Sequence, residues 1–178
     1  IGGLEIDFHV DPKVLDGRMA GNGWLQELPH PISKLTWDNA VYLSDATAKE
    51  LGVGNQDRVT LTVDGRTIEA ALWILPGQAD NTLSLSLGYG RVGHAVAQGT
   101  GFDANPLRSG KAPWFAAVNL AKAGGMYTLA STQDYGTMKP PPNPLGIDFP
   151  ERPIVLEHTR TQFQAEPNFV EAANMMER

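Results

Sequence analysis

A chain of 178 residues has room for one domain of ordinary size and further segments, and such a domain can fold without disulfide bonds. The sequence contains no Cys, which excludes disulfides, thiol nucleophiles and thiolate-held zinc or iron–sulfur clusters within it. Its net charge of −6 argues against a protein that follows nucleic-acid phosphates, which needs a basic face. No apolar run approaches the roughly 20 residues of a membrane span, so we expect no direct membrane insertion.

The first part of the chain predicts an edge strand and a loop. Residues 1–23 contain a short alternation of apolar side chains, at Leu4, Ile6, Phe8 and Val10, followed by turn residues. Residues 24–39 are interrupted by Pro29-His30-Pro31, and residues before proline avoid the helical region. We therefore expect residues 24–39 to be largely extended.

A short helix is predicted after a strand at residues 40–43. Ser44 can cap the helix and Gly52 can end it. A hairpin follows, because Asp64-Gly65 tolerates the positive φ of a two-residue turn. Alternating apolar residues flank this turn and continue into a third strand: Val59, Leu61, Val63, Ile68, Ala70, Leu72, Ile74, Leu83, Leu85 and Leu87.

The chain after Gly88 is rich in glycine, which predicts a long loop region with closing strands at residues 114–120 and 126–130. The proline-rich run at residues 139–144 predicts a stiff linker. Beyond it, residues 154–156 are a candidate strand or docking arm, and residues 168–176 a terminal helix. We divide the chain into an N-terminal edge strand and loop (1–23), a β domain (24–131) and a linker with a C-terminal arm (132–178).

The segment Gly88-Tyr89-Gly90-Arg91-Val92-Gly93 matches G-x-G-x-x-G and follows a predicted strand. A Rossmann site would need these glycines to open a crossover helix, with an acidic residue about 20 positions on. Gly99 and Gly101 prevent such a helix. Two interpretations stay open, an anion-binding glycine loop of another kind and a set of structural turns.

Several side chains near this loop suit a phosphate-bearing ligand. Arg91, Arg108 and Lys111 are candidates for clamping phosphates, because guanidinium groups match them with paired hydrogen bonds; solvated loop charges are the alternative. In Trp37-Asp38-Asn39, the aromatic ring could stack on a purine while the polar side chains contact its edge.

Catalytic and metal sites are not predicted. The four histidines have no ligand spacing, and no nucleophile elbow of G-x-S-x-G type occurs. A decarboxylase that uses a carboxylate would need a buried acid with a raised pKa, and Asp57, Glu69 and Asp103 offer no persuasive pair.

A set of short segments spread over about half of the chain forms a recognisable pattern: Trp37-Asp38-Asn39, Tyr42-Leu43-Ser44-Asp45-Ala46, Glu50-Leu51-Gly52-Val53, Asp57-Arg58-Val59, Gly65-Arg66 and Leu75-Pro76-Gly77. This pattern resembles the C-terminal dinucleotide-binding domain of molybdopterin oxidoreductases. The resemblance implies a double-psi β-barrel, mainly β with one or two short helices and long glycine-rich loops.

A second set of segments extends over nearly the whole chain: Asn22-Gly23-Trp24-Leu25-Gln26-Glu27-Leu28-Pro29, Gly88-Tyr89-Gly90-Arg91, Leu129-Ala130-Ser131-Thr132-Gln133 and Arg152-Pro153-Ile154-Val155. These segments resemble the large iron–sulfur subunit of alternative complex III, a membrane-associated, quinol-oxidising respiratory assembly. The resemblance implies other domains of the same polypeptide and respiratory-complex subunits as partners, on the periplasmic side of a bacterial membrane. Iron–sulfur clusters would lie only in other parts of the parent protein.

The resemblance also implies which positions would contact a molybdopterin guanine dinucleotide if the cofactor is bound. In the alternative complex III subunit, the molybdopterin-like part is generally thought to have lost this cofactor. The matching positions are Trp37, Asp38, Asn39, Gly88, Tyr89, Gly90, Arg91, Gly99, Gly101 and Asn105. The domain would contact the nucleotide part or keep the fold as a scaffold, and would not itself be catalytic. The alternative is an interaction module without a ligand, docking neighbouring domains through its aromatic residues and tail.

Overall fold

A computed structural model describes residues 3–93, 95–133 and 157–169. The chain divides into two units, residues 1–133 and residues 134–178. In the described part of the chain, no helix is long and apolar enough to cross a membrane.

The first unit is mainly β, as predicted. Among the described residues of this unit, the helices are α1 (Gly23–Glu27) and α2 (Asp45–Leu51), and a 3-10 turn spans Asn105–Leu107. Its strands are β1 (Glu5–His9), β2 (Leu35–Thr36), β3 (Val41–Leu43), β4 (Asp57–Val63), β5 (Arg66–Ile74), β6 (Thr82–Ser86), β7 (Phe115–Ala117), β8 (Asn119–Met126) and β9 (Ala130–Ser131).

Seven strands form one sheet in the order β7-β1-β6-β3-β5-β4-β8, and β2 pairs with β9 separately. Strands β1 and β6 are parallel, as are β3 and β5, whereas β3 and β6 are antiparallel. The predicted hairpin is β4–β5: Val63 pairs with Arg66, and Asp64 and Gly65 both have positive φ, 47° and 76°. These are the angles that a primed two-residue turn requires.

The two edge strands of the seven-stranded sheet, β7 and β8, are consecutive in the sequence. Strand β7 pairs with β1, strand β8 pairs with β4, and Val118 alone separates them. The buried Val118 donates its N–H to the Leu4 carbonyl at 3.0 Å. The sheet is therefore curled, with β1 and β4 brought towards each other by one short crossing segment.

The alternating side chains supply the core. On β4, Val59, Leu61 and Val63 are buried, and the main cluster continues through residues of the other strands: Ile6, Phe8, Val41, Leu43, Ala70, Leu72, Leu83 and Leu85. A smaller cluster lies around Leu35, Tyr42 and Leu129. Helix α2 has the predicted ends, since the Ser44 side chain accepts the Thr47 N–H and Gly52 adopts the left-handed conformation.

The prediction that residues 24–39 are largely extended is wrong at their start, where α1 forms. The Asn22 side chain accepts hydrogen bonds from the N–H groups of Trp24 and Leu25, so it caps the first turn. Pro29 follows directly after the Leu28 C-cap, and the helix ends there. The proline pair thus limits the helix without preventing its first turn.

In the second unit, the described residues form α3 (Arg160–Ala165). Thr159 and Gln162 make a capping box at its start, and the His158 and Phe169 rings stack with centroids 3.9 Å apart. The predicted linker at 139–144, the candidate strand at 154–156 and nearly all of the predicted helix at 168–176 lie outside the described residues.

Candidate functional site

Loops distant in sequence meet at one rim of the curled sheet. Asn39 lies between β2 and β3, and its side-chain amide donates to the Ser86 carbonyl at 2.8 Å and to the Phe102 carbonyl at 3.0 Å. Its Oδ1 accepts the Phe102 N–H at 2.7 Å. The buried Asn39 therefore ties the end of β6 to the 99–105 loop.

Asp38 joins the same loop to the segment before β9. Its Oδ1 accepts the Gly101 N–H at 2.6 Å and the Tyr127 hydroxyl at 3.0 Å. Burial raises the pKa of Asp38, although these two hydrogen bonds and the Lys13 ammonium act in the opposite direction. Burial and the Asp38 charge also raise the pKa of Tyr127 to about 12, so that its hydroxyl stays a donor.

Trp37 lies at the turn directly before Asp38 and Asn39. It has a φ of 65°, which is uncommon for a bulky residue, and its N–H donates to the Gln26 carbonyl at 2.9 Å. Its side chain is half-buried. The backbone here is held by α1.

The glycines of the two loops allow close approach between protein segments. A Cβ at Gly101 would lie 2.6 Å from the Tyr89 Cβ, and one at Gly90 would overlap the Asp103 backbone nitrogen. The Gly90 N–H also donates to the Thr100 carbonyl at 3.0 Å. The 88–91 and 99–105 loops are therefore packed directly against each other.

Residues 11–18, which we call the N-terminal strap, cover the 88–91 loop. The carboxylate of the buried Asp11 accepts the N–H groups of Lys13 and Val14 at 2.7 and 2.9 Å, and its other oxygen accepts the Tyr89 hydroxyl at 3.0 Å. Burial raises the pKa of Tyr89 well above its usual range, and the Asp11 charge adds to this effect. Tyr89 is thus held as a neutral donor to the strap.

The strap also carries a buried lysine. Lys13 is 4% exposed, and its ammonium donates to the Leu35 carbonyl at 3.4 Å. Burial lowers the pKa of Lys13, while the charges of Asp11 and Asp38 oppose that shift. The sequence interpretation missed Asp11 and Lys13 as parts of this rim. Asp11 followed by Pro12 is a local turn signal, but nothing local shows that the turn packs against residues 88–91.

Arg91 lies at the edge of the strap and is bound to it. One guanidinium nitrogen, Nη2, donates to the Asp16 carbonyl at 2.8 Å, and the guanidinium fills the space where a Gly17 side chain would begin. The Asp16 carboxylate pairs with Arg18, which lowers the pKa of this carboxyl.

The remaining predicted residues are more open. Gly99 has a φ of 79° and nothing within 4 Å of the position of a Cβ. Asn105 is exposed; its N–H and side-chain amide both donate to Asp103, and its Oδ1 accepts from Arg108 at 3.1 Å. The Arg108 guanidinium lies 5.0 Å from the Trp114 ring centroid. Lys111 is exposed at a tight turn.

These contacts decide how well the rim fits a nucleotide. Both amide hydrogens of Asn39 are donated to backbone carbonyls, and the spaces beside Gly88, Gly90 and Gly101 are filled by protein. Such a rim does not offer an open cradle for a dinucleotide. The sequence prediction that these residues contact one stays a prediction.

One cleft lies apart from the predicted site residues. A cleft of about 490 Å³ beside the β7–β8 junction is lined by Leu51, Thr62, Asp64 and neighbouring residues, with none of the predicted site residues among them. Among the described residues, no group of three or more His, Cys, Asp or Glu side chains is arranged to hold a metal ion.

The comparisons with known proteins find distant likenesses among solved structures only. No family model matches the chain, and no curated protein matches it. Among solved structures, acetylene hydratase from Pelobacter acetylenicus is similar at 13% sequence identity with a TM-score of 0.40. The similarity covers 48% of this chain and 14% of that chain, so this chain matches only a small part of that enzyme.

Proposed function

We propose that this chain is the dinucleotide-binding-like barrel domain of a molybdopterin-family oxidoreductase subunit in a respiratory electron-transfer complex, and that it keeps this fold as a scaffold for neighbouring domains and subunits. The family assignment rests on the sequence motifs around Trp37, Ser44 and Gly88. The scaffold role is supported by the observation that Asn39, predicted to contact a nucleotide, directs its whole amide to protein backbone.

An exposed apolar surface supports the scaffold role further. Trp24, on α1, is 84% exposed, and Val92, in the glycine-rich region, is 89% exposed. The Val96 side chain approaches the Cβ position of Gly23 to 3.6 Å, which brings the two segments together. We call the exposed apolar side chains of these two segments the rim patch: Met19, Trp24, Leu28, Val92 and Val96.

Exposed tryptophan and aliphatic side chains grouped on one surface are typical of interaction sites. The same surface suits the alternative function, an interaction module with no ligand. In both cases the partner is another protein domain.

The experiment replaces Trp24 and Leu28 by Ser in the parent polypeptide and measures assembly of the complex by native electrophoresis. We expect less assembled complex, because the two side chains would no longer be buried against a partner. Met126→Ser is the matched control: Met126 is 70% exposed on β8 and does not belong to the rim patch. Full assembly of the Trp24→Ser/Leu28→Ser protein would contradict the proposal.

A further inference from the structure

Strand β8 has one edge that no described strand covers. On its other edge it pairs with β4, where Thr60 lies opposite Ala121. Strand β1 pairs only with β7 on this side of the sheet, and it begins at Glu5, opposite Ala117. In the described part of the chain, β8 is therefore an edge strand from Asn119 onward.

The hydrogen bonds give the direction of each backbone group on β8. Val118 donates its N–H to the Leu4 carbonyl, so its polar groups face the β1 side. Backbone groups alternate between the two edges of a strand, so those of Leu120 and Lys122 face the same side as those of Val118. Leu120 and Lys122 thus present two N–H donors and two carbonyl acceptors to the uncovered edge.

The β4–β5 hairpin leads to the same directions. In a two-residue hairpin, the residues that flank the turn exchange backbone hydrogen bonds, and here they are Val63 and Arg66. By alternation along β4, the backbone groups of Thr60 then face β8. This places the polar groups of Ala121 on the β4 side, where they are paired.

The uncovered edge lacks the features that usually prevent strand pairing, which are free charges, proline and short length. The only charged residue in β8 is Lys122. Its ammonium donates to the Asp57 carboxylate at 2.8 Å, so its charge is compensated within the same chain. Ala121 and Ala123 are exposed and small. The edge is therefore open to a further strand.

A second copy of β8 fits this edge in one antiparallel register. If the pairing is centred on Ala121, Leu120 lies opposite Lys122 of the second copy, and the reverse, which gives four backbone hydrogen bonds. A register centred on Lys122 would set the two ammonium groups opposite each other, which is unfavourable. A register centred on Leu120 would require the Val118 N–H, which is already donated to Leu4.

The cleft beside the β7–β8 junction leaves room for the end of the second strand. It has a volume of about 490 Å³ and is lined by residues 117–120 and Leu4, among others. The register centred on Ala121 directs residues 123–125 of the second copy towards this cleft. These residues are Ala-Gly-Gly, so they bring no bulky side chain against Leu4.

We propose that two copies of this chain associate by antiparallel pairing of β8 with β8 around a twofold axis at Ala121. The contact is isologous, because each copy presents the same residues to the other. Gly124 and Gly125 have positive φ and end the regular strand, so the pairing is limited to residues 119–123. The dimer is therefore weak and forms at high protein concentration.

A cysteine substitution tests the register. Ala121→Cys should give a disulfide-linked dimer in air, because Cα atoms of a non-hydrogen-bonded antiparallel pair lie about 4.5 Å apart, within disulfide range. The chain has no Cys of its own, so only the introduced thiol reacts. Ala123→Cys is the matched control, since Ala123 is also exposed on β8 but lies opposite Asn119 of the second copy.

Non-reducing electrophoresis of the full chain measures the outcome. We expect the dimer for Ala121→Cys and its loss on reduction. Equal amounts of dimer for Ala121→Cys and Ala123→Cys would show random collision and overturn the proposal. The absence of a dimer for Ala121→Cys would also overturn it, whether the edge stays open or another segment covers it.

Sedimentation equilibrium of the full chain measures the dissociation constant. Lys122→Pro removes an N–H that faces the uncovered edge and leaves the ladder with β4 intact, and it should raise the dissociation constant at least about tenfold. Lys122→Ala is the control: it loses the contact with Asp57 but keeps the N–H, and should change the constant less than about threefold.

Equal effects of Lys122→Pro and Lys122→Ala would overturn the proposal, as would a wild type that stays monomeric at the highest concentration. If Lys122→Pro does not fold, the cysteine variants decide. The Trp24→Ser/Leu28→Ser protein should dimerise like the wild type, because both positions lie outside β8. The dimer and the proposed scaffold function can therefore fail separately.

Discussion

The side chain of Asn39 is 1% exposed and makes three hydrogen bonds to backbone groups of two segments. Each such bond contributes a net of about 1 kcal/mol, and removal of one partner leaves a buried group that costs more. Asn39 lies 47 positions before Ser86 and 63 before Phe102 in the chain. It therefore stabilises contacts that no local sequence pattern specifies.

Asp38 makes the folded state sensitive to pH. Because burial raises its pKa above 3.8, the folded protein binds a proton more readily than the unfolded chain does. Ionisation of Asp38 thus disfavours the folded state as pH rises from 3.8 through the raised pKa. We expect the stability of the wild type relative to Asp38→Asn to fall over this window and to be constant below it, measured by urea unfolding at each pH.

Asp57 provides the control of opposite sign. The hydrogen bond from the Lys122 ammonium, at 2.8 Å, lowers the pKa of Asp57. Its stabilisation is present above 3.8 and is lost as pH falls through the lowered pKa, so the wild type should gain stability relative to Asp57→Asn as pH rises. If the difference in unfolding free energy between the wild type and Asp38→Asn did not vary with pH, the raised pKa of Asp38 would be contradicted.

At the scale of elements, the rim is formed by loops that pack through their glycines. Gly101→Ala should be destabilising by about 2–5 kcal/mol, since a positive φ costs 1–2 kcal/mol and overpacking against Tyr89 costs a further 1–3. Gly99→Ala carries a similar positive φ without a neighbour within 4 Å, so we expect a loss of only about 1–2 kcal/mol. Urea unfolding of both variants measures the difference; equal losses would show that the close packing contributes nothing.

The elements that the sequence predicted correctly have local causes. The Asp64-Gly65 turn, the Ser44 cap and the alternation on β4 each depend on residues within a few positions of one another. Helix α1 was not predicted, because Pro29-His30-Pro31 favours extended backbone; the structure shows that Asn22 caps a short helix before these prolines. The contacts of the strap with residues 88–91 join positions more than 70 apart, and periodicity does not report on them.

At the scale of the whole molecule, the fold class depends on local sequence pattern, whereas the site depends on contacts between residues distant in sequence. A mainly β chain with alternating strands follows from local pattern, and so does the position of the glycine-rich loop. The curled sheet depends on Val118 linking the strands at its two ends, which is a property of topology. Which polar groups remain open for a ligand depends on that topology, so the candidate residues could be predicted but their partners could not.

The core is expected to be independent of the C-terminal unit. Among the described residues, the buried members of both hydrophobic clusters lie between Leu4 and Leu129, inside residues 1–133. A chain ending at Gln133 should therefore unfold in urea with the same midpoint as the full chain, since it retains the described residues of both clusters.

A chain ending at Ala112 is the control for that truncation, because it lacks β7 and β8 and leaves β1 and β4 without these neighbours. Val118 would also be lost, and with it the hydrogen bond to Leu4 and the crossing that curls the sheet. We expect this shorter chain to lose cooperative unfolding. If the chain ending at Gln133 showed a clearly lower midpoint than the full chain, residues 134–178 would contribute to the stability of the first unit.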